Sequence, residues 1–130
     1  MVKDKESIIN FVDSIKQTLT DIALDIHEHP ETPFQEQRSM EILTSFLAEN
    51  GFSIEKDLAG LPTSFRAAST HYTGNPTIAL LAEYDALPEL GHACGHNLIG
   101  PASIGAAAAI HHLSFQINGQ LIVMGTPAEE

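Results

Sequence analysis

The stretch Glu89 to Gly100, ELGHACGHNLIG, sets His92 and His96 at equal distances on either side of Cys94, the only cysteine in the chain. In an extended or turning segment Cys94 and His96 face the same side, and Gly95 between them lets the backbone bend without a side-chain clash. A thiolate and an imidazole placed in this way can share one cation, and zinc, manganese, cobalt and nickel all accept such donors. A helix amino terminus nearby would favour the thiolate form of Cys94. The pair alone does not establish a metal centre, because an isolated cysteine also fits a small buried hydrophobe and a loop histidine is commonly solvated.

Further donors close two apolar runs. Glu83-Tyr84-Asp85 follows Thr77 to Ala82 and places two carboxylates on one side, and Gly125-Thr126-Pro127-Ala128-Glu129-Glu130 follows Gln120 to Met124. Adjacent carboxylates diverge in direction, so one can ligate a metal while its neighbour faces water and moves protons. Thr126-Pro127-Ala128-Glu129 also fits a capping box that starts a helix, and the two readings are compatible. His111 and His112, late in an alanine-rich segment, read as ordinary surface or half-buried residues, and His27 and His29 as partners of a helix carboxyl terminus.

These residues need a scaffold, and the apolar pattern supplies one. Ile8, Val12, Ile15, Leu19, Ile22 and Ile26 recur at alternating steps of four and three, which predicts a core-packed helix interrupted at His29-Pro30; the stripe is too short for a coiled coil. Thr32-Pro33-Phe34-Gln35 fits a capping box for a second helix over about 33–50, stopped by Asn50-Gly51. Phe52, Ile54 and Ser64 to Ser69 read as an extended hairpin, followed by turn residues 71–76. The run Thr77 to Ala82 predicts a strand buried on both faces, then come a helix at about 99–113 and a strand over Gln120 to Met124, a strand, loop, helix, strand order that predicts a right-handed crossover. Residues 83–98 form one long connection at the carboxyl end of a central strand, where open α/β sheets place their sites.

Composition limits the partners. The chain of 130 residues is 43% apolar, enough for one domain with a core, and its formal charge of -11 repels phosphate backbones and anionic lipid while attracting cations. No nucleic-acid or membrane partner is expected, since the longest apolar run falls far short of the roughly 20 residues that cross a bilayer. One cysteine and a charged, amphipathic start without a leader point to the cytoplasm.

LLAEYDALPELGHACGHNLIG followed by GTPAEE resembles the dinuclear metallo-amidohydrolases and peptidases that include aminoacylases and glutamate carboxypeptidases, and most closely the aminobenzoyl-glutamate hydrolase-like branch. IHEHPETPFQEQRS is similar to the family's amino-terminal helix junction, so the resemblance spans essentially the whole chain. It implies an α/β fold, a three-layer αβα zinc-peptidase-like catalytic domain with a mixed sheet and helices on both faces, here incomplete. It implies Cys94, His96 and Glu130 as metal ligands, Glu129 as catalytic base, and Asp85 as the catalytic aspartate that supports the site from behind. The implied cofactors are divalent ions, zinc or manganese, two in a complete site. The implied substrates are N-acyl amino acids, dipeptides or aminobenzoyl-glutamate-like amides, and the complete enzyme is implied to be a homodimer.

Two departures shape the expectation. Many relatives carry a histidine where this chain has Glu83, which leaves open which donor bridges the metals. Family members also continue through an inserted dimerisation domain and further histidine ligands, so residues 1–130 correspond to the amino-terminal third. The alternative reading is therefore a non-catalytic fragment or metal-binding module. For the 130 residues alone, the expectations are weak metal binding, no amidase activity, an edge at Gln120 to Met124 left unpaired or with its faces uncovered, and least order in residues 83–98 and the last five or six positions.

Overall fold

The computed structural model describes residues 2–113 and 118–130. Helix α1 (Val2–Glu28) is followed by α2 (Gln37–Glu49), β1 (Phe52–Lys56), a single 3-10 turn at Leu58–Gly60, β2 (Phe65–Ser69), β3 (Thr77–Glu83), α3 (His96–His112) and β4 (Gln120–Thr126). The sheet order is β1-β2-β4-β3, with β1 and β4 antiparallel to β2, and β3 parallel to β4. The mixed α/β sheet matches expectation. Among the described residues, no helix is long and apolar enough to cross a membrane.

The register assigns the faces. Phe52 and Ile54 of β1, Phe65 and Ala67 of β2, Leu121 and Val123 of β4, and Ile78, Leu80 and Ala82 of β3 lie on one face of the sheet. Helix α2 packs on the β1–β2 side of that face and α3 on the β3–β4 side, while α1 lies across α3 and α2. Leu43, Leu47, Ile104, Phe65 and Val123 are fully buried between these layers. Each such side chain contributes about 1.5–3 kcal/mol by leaving water. Gly125 belongs to the same face, where an added Cβ would come within 2.2 Å of the Phe65 ring. The opposite face carries Ala68, Ala79, Leu81, Ile122 and Met124, and no described helix packs on it.

The α1 stripe turns inward as its spacing predicts, with Ile22 and Ile26 buried in the core. The predicted capping box at Thr32 does not form. Phe34 takes a left-handed conformation and stays exposed, and α2 begins at Gln37. The Glu31 carboxylate caps α2 instead, receiving the N–H groups of Arg38 and Ser39 at 2.8 Å each. Arg38 in turn binds Asp25 of α1 through two parallel hydrogen bonds of 2.7 and 2.8 Å, joining the two helices.

One expectation about strands is overturned and another is met in one of its two forms. β3 is not buried on both faces: it is an edge strand, with Ile78 57% and Leu81 52% exposed. β4 is not unpaired, because it joins β2 on one side and β3 on the other, but its face with Ile122 and Met124 carries no described helix. An apolar run records how much a strand could bury, not its place in the sheet, and here the later strand holds the central position. The connection after β3 is also better held than expected. Ala86 N–H donates to Glu31 O at 2.8 Å, and Leu87 and Gly91 exchange two hydrogen bonds of 3.0 Å.

Candidate metal centre

Because β3 and β4 are parallel and Glu83 pairs with Thr126, both strands deliver their following residues to the same end of the sheet. Helix α3 starts there. Gly95, left-handed at φ 82°, turns the chain into the helix, and His96 is its first residue, 3% exposed.

His96 Nδ1 lies 2.9 Å from the Asp85 carbonyl oxygen and 3.0 Å from Asp85 Oδ1. Both partners only accept, so Nδ1 carries a ring hydrogen, and Nε2 is the nitrogen left to face the rest of the site. That nitrogen faces three carboxylates: Glu83 Oε2 at 3.5 Å, Glu129 Oε2 at 3.6 Å and Glu130 Oε1 at 3.8 Å. A ring nitrogen and three carboxylates so close together can share a proton or a cation between them. One ligand atom from each of Glu83, His96 and Glu129 lies within 4.8 Å of the other two, a span that a single ion can bridge.

Asp85 is buried and carries both sides of the arrangement. While Oδ1 holds the His96 ring, Oδ2 accepts the Glu130 N–H at 3.1 Å. Tyr84 points the other way, its hydroxyl donating to Thr63 O at 2.5 Å. Burial, then the charges of Glu36 and Asp85, push its phenol well above the ordinary range.

Cys94 is exposed and lies beside the Glu130 carboxylate. That neighbour raises the pKa of the thiol, with desolvation and the charges of Glu129 and Asp85 adding to it. The expected help from the helix amino terminus is thus outweighed by nearer anions. His92 takes no part: it is buried against His27, neither ring nitrogen has a hydrogen-bond partner, and burial lowers its pKa.

The structure therefore brings Asp85, Cys94, His96, Glu129 and Glu130 to one end of the sheet. It places Glu83, which the sequence offered as a strand-end carboxylate but not among the ligands that the resemblance implied, in the tightest donor group. It also shows residues 31–39 bracing the site from outside, a role whose only trace in the sequence was the IHEHPETPFQEQRS junction. Residues 127–130 do not continue as a helix, and Ala128 is left-handed at φ 56°.

No profile of a known protein family matches the chain. Individual relatives do. The chain is 37% identical to one of the subunits of p-aminobenzoyl-glutamate hydrolase from Escherichia coli, over 96% of its own length and 30% of that protein. It is 38% identical to the Xaa-Arg dipeptidase of Mus musculus, over 92% of its length and 30% of the relative. Among solved structures it superposes on a dinuclear metal-binding peptidase of the M20 family from Bacillus subtilis with a TM-score of 0.79 and 29% identity, covering 90% of this chain and 36% of that one. The chain thus spans about a third of the relatives it matches. Its homologues are amidohydrolases and peptidases of the M20 type.

Proposed function

From that homology we propose that the chain is the amino-terminal part of the catalytic domain of a metal-dependent amidohydrolase, cleaving N-acyl amino acids, dipeptides or aminobenzoyl-glutamate-like amides. The observation that carries the reading is the His96 ring, fixed by Asp85 so that Nε2 meets Glu83, Glu129 and Glu130. The residues fit a divalent ion, since an imidazole, carboxylates and a thiol form a donor set suited to zinc or manganese. His96, Glu130 and Cys94 are proposed to hold it, with Glu83 as a further donor.

A bound divalent ion supplies polarisation of the scissile carbonyl and a lower pKa for water at the site. Glu129, the most exposed carboxylate of the group at 50%, is the proposed base that takes the proton from water and returns it to the leaving amine. Asp85 keeps the His96 tautomer and anchors the backbone of Glu130. Two ions in the complete site, a homodimeric assembly and a cytoplasmic location belong to the same proposal. The 130 residues match only about a third of their relatives, so by themselves they are proposed to bind metal weakly and to lack amidase activity.

The test is zinc and manganese titration of the chain, with hydrolysis assays on it and on any longer polypeptide that includes it. Chelator-sensitive hydrolysis by the longer form supports the reading. A longer form that holds no metal and cleaves none of the three amide classes overturns it, and hydrolysis by the 130 residues alone overturns the division of labour.

A further inference from the structure

Glu36 immediately precedes α2 and is 0% exposed. Its two carboxylate oxygens are met by hydrogen bonds: Thr63 Oγ1 donates to Oε2 at 2.7 Å and Ala128 N–H donates to Oε1 at 2.9 Å. A buried carboxylate is costly to desolvate and does nothing for packing that a leucine would not do better. What it holds explains its presence. Ala128 lies in the left-handed region at φ 56°, sparsely populated by alanine, and the two residues after it are Glu129 and Glu130. Thr63 is fixed from the other side, because its carbonyl accepts the Tyr84 hydroxyl, and Tyr84 lies between Glu83 and Asp85. One buried network thus links the start of α2, the loop before β2 and the ends of both parallel strands.

We propose that Glu36 is a positioning residue for the metal centre: its carboxylate clamps the Ala128 N–H in the left-handed turn that directs Glu129 and Glu130 to His96. The inference rests on the proposed metal centre but concerns a residue that touches neither the ion nor substrate. A residue serving stability alone would change the melting temperature and leave metal affinity in the folded protein untouched.

The experiment compares wild type, Glu36→Gln and Glu36→Ala in the 130-residue chain, at a temperature where circular dichroism shows all of them folded. Zinc affinity and the hydrogen-exchange rate of the Ala128 amide are measured. The glutamine variant keeps a carbonyl for Ala128 and lets the Thr63 hydroxyl reverse its role, so both readings should stay within a few-fold of wild type. The alanine variant removes the clamp, so Ala128 exchange should accelerate and zinc affinity fall on the order of tenfold to a hundredfold, the range for lost supporting contacts around a metal. A folded Glu36→Ala with wild-type affinity and unchanged exchange overturns the proposal. Should that variant not fold, Thr63→Val removes only the hydroxyl that orients the carboxylate. It should lower zinc affinity and speed Ala128 exchange, and no change in either overturns the proposal. If wild type binds no zinc, the weak binding proposed for these 130 residues fails and the Ala128 amide decides the clamp: slow in wild type and fast in Glu36→Ala supports it, equally fast in both overturns it.

Discussion

The Asp85 carboxylate holds the His96 ring at 3.0 Å through one oxygen and the backbone N–H of Glu130 at 3.1 Å through the other. One buried side chain therefore sets both the direction of an imidazole at the start of α3 and the position of a glutamate beyond β4, residues far apart in sequence. This is why the site lies at the carboxyl end of the parallel pair.

Asp85→Asn separates the two roles. An amide can accept from one neighbour but presents N–H groups to the other. If these face Nδ1, the ring hydrogen moves to Nε2 and blocks the donor. Zinc affinity of the folded chain should fall about tenfold to a hundredfold, as measured by competition with a chromophoric chelator. An affinity equal to wild type would show that the pair does not govern the donor.

Glu129→Gln distinguishes a base from a ligand. The substituted amide keeps size and hydrogen bonding but cannot take a proton. In a longer, active form turnover should drop on the order of a hundredfold or more while metal content stays. Glu129 also lies in the tightest donor group, so zinc affinity must be measured on the same preparation. A parallel loss of metal would make it a ligand.

Cys94→Ser tests the thiol. A hydroxyl keeps the size and polarity of the position but is a poor donor to zinc, so metal occupancy should fall well below wild type under equal zinc, read by elemental analysis. Full occupancy would leave Cys94 a neighbour of Glu130 and not a ligand.

Much of this was legible in the residues. The stripe from Ile8 to Ile26, the Asn50-Gly51 stop and the alternation of strand and helix after Thr77 each follow from local chemistry, and local chemistry was decisive there. The convergence of Asp85, Cys94, His96 and Glu129-Glu130 was legible because all of them sit at ends of apolar runs or beside a glycine. The place of β3 was not, because an apolar run looks alike at the edge and at the centre of a sheet. Nor was the start of α2: Thr32 offered a local cap, but Glu31 reached Arg38 and Ser39 through a fold-back that no short window contains. Glu36 was hidden for the same reason, its partners being Thr63 and Ala128.

Acid should weaken the fold through His111, at the end of α3 remote from the metal centre. The ring is 5% exposed, shares a hydrogen bond of 2.8 Å with Ser69 Oγ, stacks on His71 at 3.9 Å and packs against Phe52, with His112 beside it. Burial first, then His71 and His112, lower its pKa. The unfolded chain therefore takes up the proton near the ordinary value of about 6.5, and the folded chain only below it. Stability from a neutral, buried His111 is fully present above roughly pH 6.5 and is lost progressively as pH falls from there through the folded pKa. Thermal melts of the chain from neutral to mildly acidic pH should show a falling midpoint, with a shallower fall in His111→Gln, which keeps a partner for Ser69 and does not titrate. Some slope should survive in that variant, because burial lowers the pKa of His92 in the same direction. Parallel curves for the two proteins would take the acid sensitivity away from His111.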